Sequence, residues 1–146
     1  MIKFCPFPYI FSLTNNLPTD VGGRATMFFV RIRPKYQDDE GILKHEETHI
    51  KLEWIITLIL LVLVGAAGYF NHLIWLGSVF CPMVESILYK FYAPYRKWSE
   101  VRAYKRQLKY PPANLNVEHY RGQYAEFIAT KYGLKKTVEE ATKLLS

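Results

Sequence analysis

Between Glu53 and Glu85 the sequence contains no Asp, Glu, Lys or Arg. A helical stretch that is apolar on all sides has no face to offer water, so this segment belongs in lipid or in deep burial. Cysteine is also scarce: Cys5 and Cys81 stand alone, far apart, with no C-x-x-C. That excludes a disulfide framework and a thiolate zinc site, and both thiols are expected to be reduced and structural. The N-terminus has one early base, Lys3, then Pro6 and Pro8, with no continuous apolar core and no A-x-A-like site. No cleaved signal peptide is expected. Internal repeats, low-complexity tracts, a P-loop, G-x-S-x-G and an RNA-binding aromatic motif are all missing, which argues against P-loop nucleotide hydrolysis and serine-hydrolase chemistry.

What charge there is lies unevenly. The chain has 146 residues and a net charge of +6, a length that suits one domain with a modest core. Residues 1–53 carry seven basic and seven acidic side chains, whereas 85–146 carry twelve and six. A basic half is either an ordinary solvated surface or a contact for acidic lipid headgroups or nucleic acid.

The one stretch that specifies chemistry is His45-Glu46-Glu47-Thr48-His49. On a helix, residues four apart leave the same face, so the two imidazoles can grip one metal ion. Zinc takes neutral imidazole readily and, in catalytic sites, keeps one position open for water. Glu46 is placed to take a proton from that water as it attacks a polarised carbonyl. Five residues with three fixed positions also occur by chance, on a polar helix face with two solvated histidines.

The surrounding chain predicts a mainly α protein with a small β element. Residues 1–23 are aromatic and Pro-rich, then polar, and end in Gly22-Gly23; they predict irregular chain or a short strand, then turns. Ala25 to Ile32 predicts a single strand stopped by Pro34. A strand before the metal helix either pairs with an extended substrate or only supports the helix. Asp38 or Asp39 is the expected N-cap of a helix starting near Glu40. Trp54 to Phe70 is nearly all apolar, and its 17 residues span roughly 25 Å at ~1.5 Å per residue, the short limit for a bilayer. Asn71-His72 interrupts, and Leu73 to Val84 resumes the apolar run. The pattern predicts a helical hairpin over 54–84 with its tip at Asn71-His72, inserted in a membrane or buried in a soluble assembly. Lys44, Lys51, Lys90, Arg96 and Lys97 flank its open end and none flanks the tip. If the arms span a bilayer, the excess of positive charge places the motif on the cytoplasmic side. His72, at the tip, is too far from the motif to be a ligand.

A hairpin brings the chain back to where it left. After Pro94, Tyr95 to Leu108 predicts a helix, and Glu100 is its only acidic residue. A carboxylate from a following helix is a known third zinc ligand beside two histidines. The competing reading is a charge partner for Arg96, Lys97, Arg102, Lys105 and Arg106. Pro111-Pro112 should end that helix. A helix from Val117 to Tyr132 then shows an aromatic stripe of Tyr120, Tyr124, Phe127 and Ile128, with Gly133 as its cap. Thr137 and Glu140 form a capping box for the last helix.

With H-E-x-x-H followed by Glu100-Val101-Arg102-Ala103-Tyr104, an E-x-x-A-Y segment, the chain resembles the glutamate-type zincins (gluzincins). It more closely resembles a group of small phage and prophage metallopeptidase-like proteins. The similar pieces are Gly41 to Ile50, Trp98 to Leu108 and a tail from Tyr124 to Ala141, within residues 25–54 and 94–145. The long apolar hairpin departs from the shorter connection expected in that group. The resemblance implies a zincin-like domain over 1–146 in which His45, His49 and Glu100 bind Zn2+ and Glu46 is the base. It also offers Tyr104 as an oxyanion stabiliser, against the plainer role of a packed aromatic. The expected activity is zinc-dependent hydrolysis of a peptide or protein substrate, at a membrane with the site on the cytoplasmic side; a virion-associated or cytoplasmic setting is the alternative. The competing expectation is a non-enzymatic phage or bacterial membrane protein with a structural or vestigial metal. Reading the basic helix 96–109 as a nucleic-acid contact has the least support, because no recognised fold or aromatic platform accompanies it, and no nucleic-acid partner is expected.

Overall fold

The computed structural model describes residues 1–111, 116–132 and 137–146. Among these residues, four short strands and five α-helices make an α+β protein: β1 (Ile2–Phe4), β2 (Pro8–Leu13), β3 (Gly23–Thr26), β4 (Phe29–Ile32), α1 (Glu40–Phe70), α2 (Cys81–Phe91), α3 (Ala93–Gln107), α4 (Val117–Thr130) and α5 (Val138–Leu145). A 3-10 helix over His72–Phe80 joins α1 to α2.

The single strand expected over 25–32 is two strands. Met27, with φ of 51°, turns the chain back on itself, and β3 and β4 pair antiparallel with Thr26 opposite Phe29. β-branched and aromatic content reports a strand but is blind to a tight turn inside it. The N-terminal tract forms two further strands. The sheet order is β1-β2-β4-β3, with β2 and β4 parallel and the outer pairs antiparallel. β3 is therefore an edge strand, and it lies against the start of α1. Gly23 makes this approach possible: a Cβ there would sit 3.0 Å from both Glu46 Oε1 and Ile42 Cγ2.

α1 is one 31-residue helix that carries the histidines at one end and the apolar run at the other. Asp39 caps it, its Oδ1 accepting from the Ile42 amide at 2.9 Å. Tyr9, Val30 and Ile32 of the sheet close over Ile50, with Trp54 at the edge of that core. The chain leaves α1 at Asn71, whose side chain accepts from the Leu73 amide at 3.1 Å and starts the return arm. Trp75 lies on Gly68, where a Cβ would come within 2.6 Å of its Nε1. The chain thus runs out along α1 and back through the 3-10 helix and α2, and much of the apolar surface of this stretch, including Val62, Leu63, Leu76 and Val79, is exposed. α2 and α3 then pack along α1.

α4 and α5 cover the far side of α3. Tyr104, Tyr124, Ala125, Ile128, Ala141 and Leu145 form a second core there. The Thr137–Glu140 capping box is present, while Pro112 and the expected Gly133 cap lie outside the described residues. Arg33 ties the loop before β3, donating to the carbonyls of Val21 at 2.8 Å and Leu17 at 2.5 Å. Cys5 and Cys81 are both free thiols.

Ile50 is fully buried between sheet and helix, whereas Ile59, on the same helix, is 55% exposed. Ile50→Ala should cost about 2–5 kcal/mol of stability through lost transfer energy and a cavity. Ile59→Ala should stay within about 0.5 kcal/mol. Chemical denaturation of the purified protein, followed by circular dichroism, separates the two.

Candidate metal centre

The helical period places His45 and His49 on one face of α1, and α3 runs alongside with Glu100 pointing between them. The carboxylate reaches both rings: Oε2 lies 3.5 Å from His45 Nε2 and Oε1 lies 3.5 Å from His49 Nε2. The two Nε2 atoms are 3.3 Å apart. One ligand atom from each of the three residues falls within 4.8 Å of the others, which is the spacing of donors around one ion. Glu100 is 2% exposed, His45 is buried and His49 is mostly buried.

Several features fit this donor set to a divalent metal. Glu100 Oε2 is buried, makes no hydrogen bond among the described residues and has only the His45 ring, 3.5 Å away, beside it, so the cluster holds an acceptor with capacity to spare for a cation. His49 Nδ1 lies 3.0 Å from Ser99 Oγ. A proton on Nδ1 donated to that oxygen leaves the Nε2 lone pair facing Glu100, the tautomer a metal ligand needs. Burial pushes the His49 pKa down to about 4, so the ring is neutral near pH 7. Burial would raise the Glu100 carboxyl, but the imidazoles of His49 and His45 and the Tyr89 hydroxyl draw it down to about 2. Neutral imidazole and ionised carboxylate are the forms that bind zinc.

The two glutamates of the motif have separate tasks. Glu47 faces the sheet, where Tyr9 Oη donates to Oε1 at 2.7 Å and Lys44 Nζ to Oε2 at 3.0 Å. Glu46 faces the other way, into a cavity of about 580 Å³ that His45, His49, Glu100 and β3 also line. Burial pushes its carboxyl up to about 7, against the lowering influence of His45. A carboxyl poised there is matched to moving a proton at neutral pH.

Tyr104 is less well placed. Its ring meets His45 edge-on at 4.5 Å and its hydroxyl pairs with that of Tyr132 at 2.8 Å. It lines a second cavity, of about 510 Å³, which shares His45 and Glu46 with the first. Tyr89 is the phenol that reaches the metal cluster from the larger cavity, and its hydroxyl donates to Glu100 Oε1. Tyr89 and Ser99 were not among the expected site residues. Ser99 adjoins Glu100 in sequence, which is a weak signal; Tyr89 carries none, because it reaches the cluster only through the packing of α2.

None of the protein-family models, curated proteins or solved structures compared with the chain matches it.

Purified protein, kept from chelators, should carry about one zinc per chain by elemental analysis, and His49→Ala and Glu100→Ala should lose it. Ser99→Ala should retain zinc but hold it about 10–100-fold more weakly in competition with a chelator, because the His49 ring loses its orienting partner.

Proposed function

We propose that this chain is a zinc-dependent metallopeptidase of the glutamate type, acting at a membrane surface. The observation that carries this reading is the buried His45–His49–Glu100 cluster with Glu46 on the wall of the same cavity. When bound, zinc would act as a Lewis acid toward a carbonyl and lower the pKa of water. His45, His49 and Glu100 are the side chains that would hold it. Glu46 takes the proton of the attacking water and delivers it to the leaving amine nitrogen. The free edge of β3 borders the cavity through Gly23, Arg24, Ala25 and Thr26. An extended peptide can hydrogen-bond to such an edge, lying across Glu46. Both phenols are already engaged, Tyr104 with the Tyr132 hydroxyl and Tyr89 as donor to Glu100, and of the two only Tyr89 lines the larger cavity beside Glu46.

The membrane part of the reading rests on the hairpin. The helices Glu40–Phe70 and His72–Phe91 each hold a stretch long and apolar enough to cross a bilayer, by length and composition, and the metal centre lies outside it, at the charged end of the first. The bases Lys51, Lys90, Arg96 and Lys97 cluster at the open end, beside the metal centre, so a spanning hairpin would set the site on the cytoplasmic face.

Glu46→Gln should keep zinc while lowering peptide hydrolysis about 10²–10⁴-fold, read with a fluorogenic peptide mixture. Zinc-loaded wild type without hydrolysis would leave a structural metal in a non-enzymatic membrane protein. The protein should also stay with the membrane pellet through alkaline carbonate and leave it only with detergent; release by carbonate would remove the membrane part alone.

A further inference from the structure

The two glutamates that bracket the uncharged stretch meet in the fold. Glu53 lies one helical turn beyond His49 on α1, and Glu85 lies on α2, which packs along α1. Both are buried, at 2% and 6% exposure, and both line the cavity that holds the metal cluster. Burial and the charge of Glu85 push the Glu53 carboxyl up to about 8. Tyr95 Oη donates to Glu85 Oε1 at 2.9 Å. That leaves Glu53 Oε1 buried with no partner among the described residues, and one turn further Thr57 Oγ1 is in the same position.

We propose that Glu53 and Glu85 recognise an ammonium group of the substrate, next to the bond held at the metal centre; this rests on the peptidase reading. A buried carboxylate oxygen without a donor is costly, and a buried carboxyl pair more so. The chain has nearby cations and does not use them. Arg24, Lys90 and Arg96 line the same cavity, yet among the described residues none forms an ion pair with Glu53 or Glu85. Arg96 Nη1 donates instead to the carbonyls of Tyr89 and Lys90, at 3.3 and 3.0 Å. A second metal ion is a poorer match, because two carboxyls and a phenol fall short of a ligand set. The described residues contain one group of three metal-ligating side chains, His45, His49 and Glu100. An ammonium brings three N–H donors and one positive charge, which suits two carboxyls with an oxygen to spare. The reach is also right. Four residues along α1 is a rise of roughly 6 Å, and consecutive peptide Cα atoms are about 3.8 Å apart. The ammonium thus belongs to a residue flanking the scissile bond, as a free α-amine or a lysine side chain.

Three hydroxamates, which chelate zinc, test this on the zinc-loaded full chain in detergent. Nα-acetyl-leucine hydroxamate carries no cation, leucine hydroxamate carries the α-ammonium, and Nα-acetyl-lysine hydroxamate carries the side-chain ammonium. Isothermal titration should show one cationic probe binding at least about tenfold tighter than the neutral one, the scale of one charged hydrogen bond. Which probe wins identifies the source of the ammonium. In Glu53→Gln and Glu85→Gln the advantage should fall below about threefold, with neutral-probe affinity kept. Equal binding of all three by wild type overturns the proposal and leaves the metal reading intact, and that comparison needs no variant to fold. An advantage that survives both substitutions also overturns it, as does a second equivalent of zinc that Glu53→Gln removes. Failure of every probe to bind overturns the metal reading and this proposal with it.

Discussion

A carboxylate taken out of water is expensive unless positive or hydrogen-bonding partners meet it. Glu100 is such a group, held between two imidazoles where α3 crosses α1. That crossing is possible only because the chain travels out along α1, turns at Asn71 and returns through α2. The sheet presses on one side of α1, and α4 with α5 presses on the far side of α3. Both cores therefore hold the same three side chains in register. Ser99, Tyr89 and the sheet-bound Glu47 add the hydrogen bonds that fix which atoms face the centre.

Much of this was legible in the residues themselves. The i, i+4 spacing of the histidines, the Asp39 cap, the break at Asn71-His72 and the Thr137–Glu140 box are local signals, and the structure has each where its local physics puts it. The return of Glu100 followed from counting the two legs of a hairpin. Less could be read where tertiary contact decides. The β3–β4 turn hides inside a run of strand-forming residues, since Met27 is not a residue that announces positive φ. Of the N-terminal strands, β1 pairs with its neighbour β2, while β2 gains its other partner from β4, further along the chain. Tyr89 and the Glu53–Glu85 contact exist only because α2 lies against α1. An absence of charge between two glutamates showed in the sequence as a boundary, and only in the fold does it become a contact.

The assignment of roles within one motif is also a tertiary matter. Glu46 and Glu47 are chemically identical and adjacent. The helix turns them to opposite sides, one toward Tyr9 and Lys44 and the other toward the cavity. A single residue of slippage in α1 would exchange the carboxylate that faces the sheet for the one that faces the cavity, and the Asp39 cap and the close approach at Gly23 fix that phase.

The unbroken course of α1 has a mechanical side. At ~1.5 Å per residue, the helix from His49 to its end at Phe70 is a lever of roughly 30 Å. Nothing along it offers a hinge, for it contains no proline and its glycines at 65 and 68 face Trp75 of the return arm. The two arms are latched by that indole, so they tilt as one body. Embedded helices answer bilayer thickness by tilting. In such a setting His45 and His49 at the base of one arm would swing together with α2 at the base of the other, and the thickness of the surrounding lipid would set the angle at which the cavity meets whatever polypeptide lies along the surface.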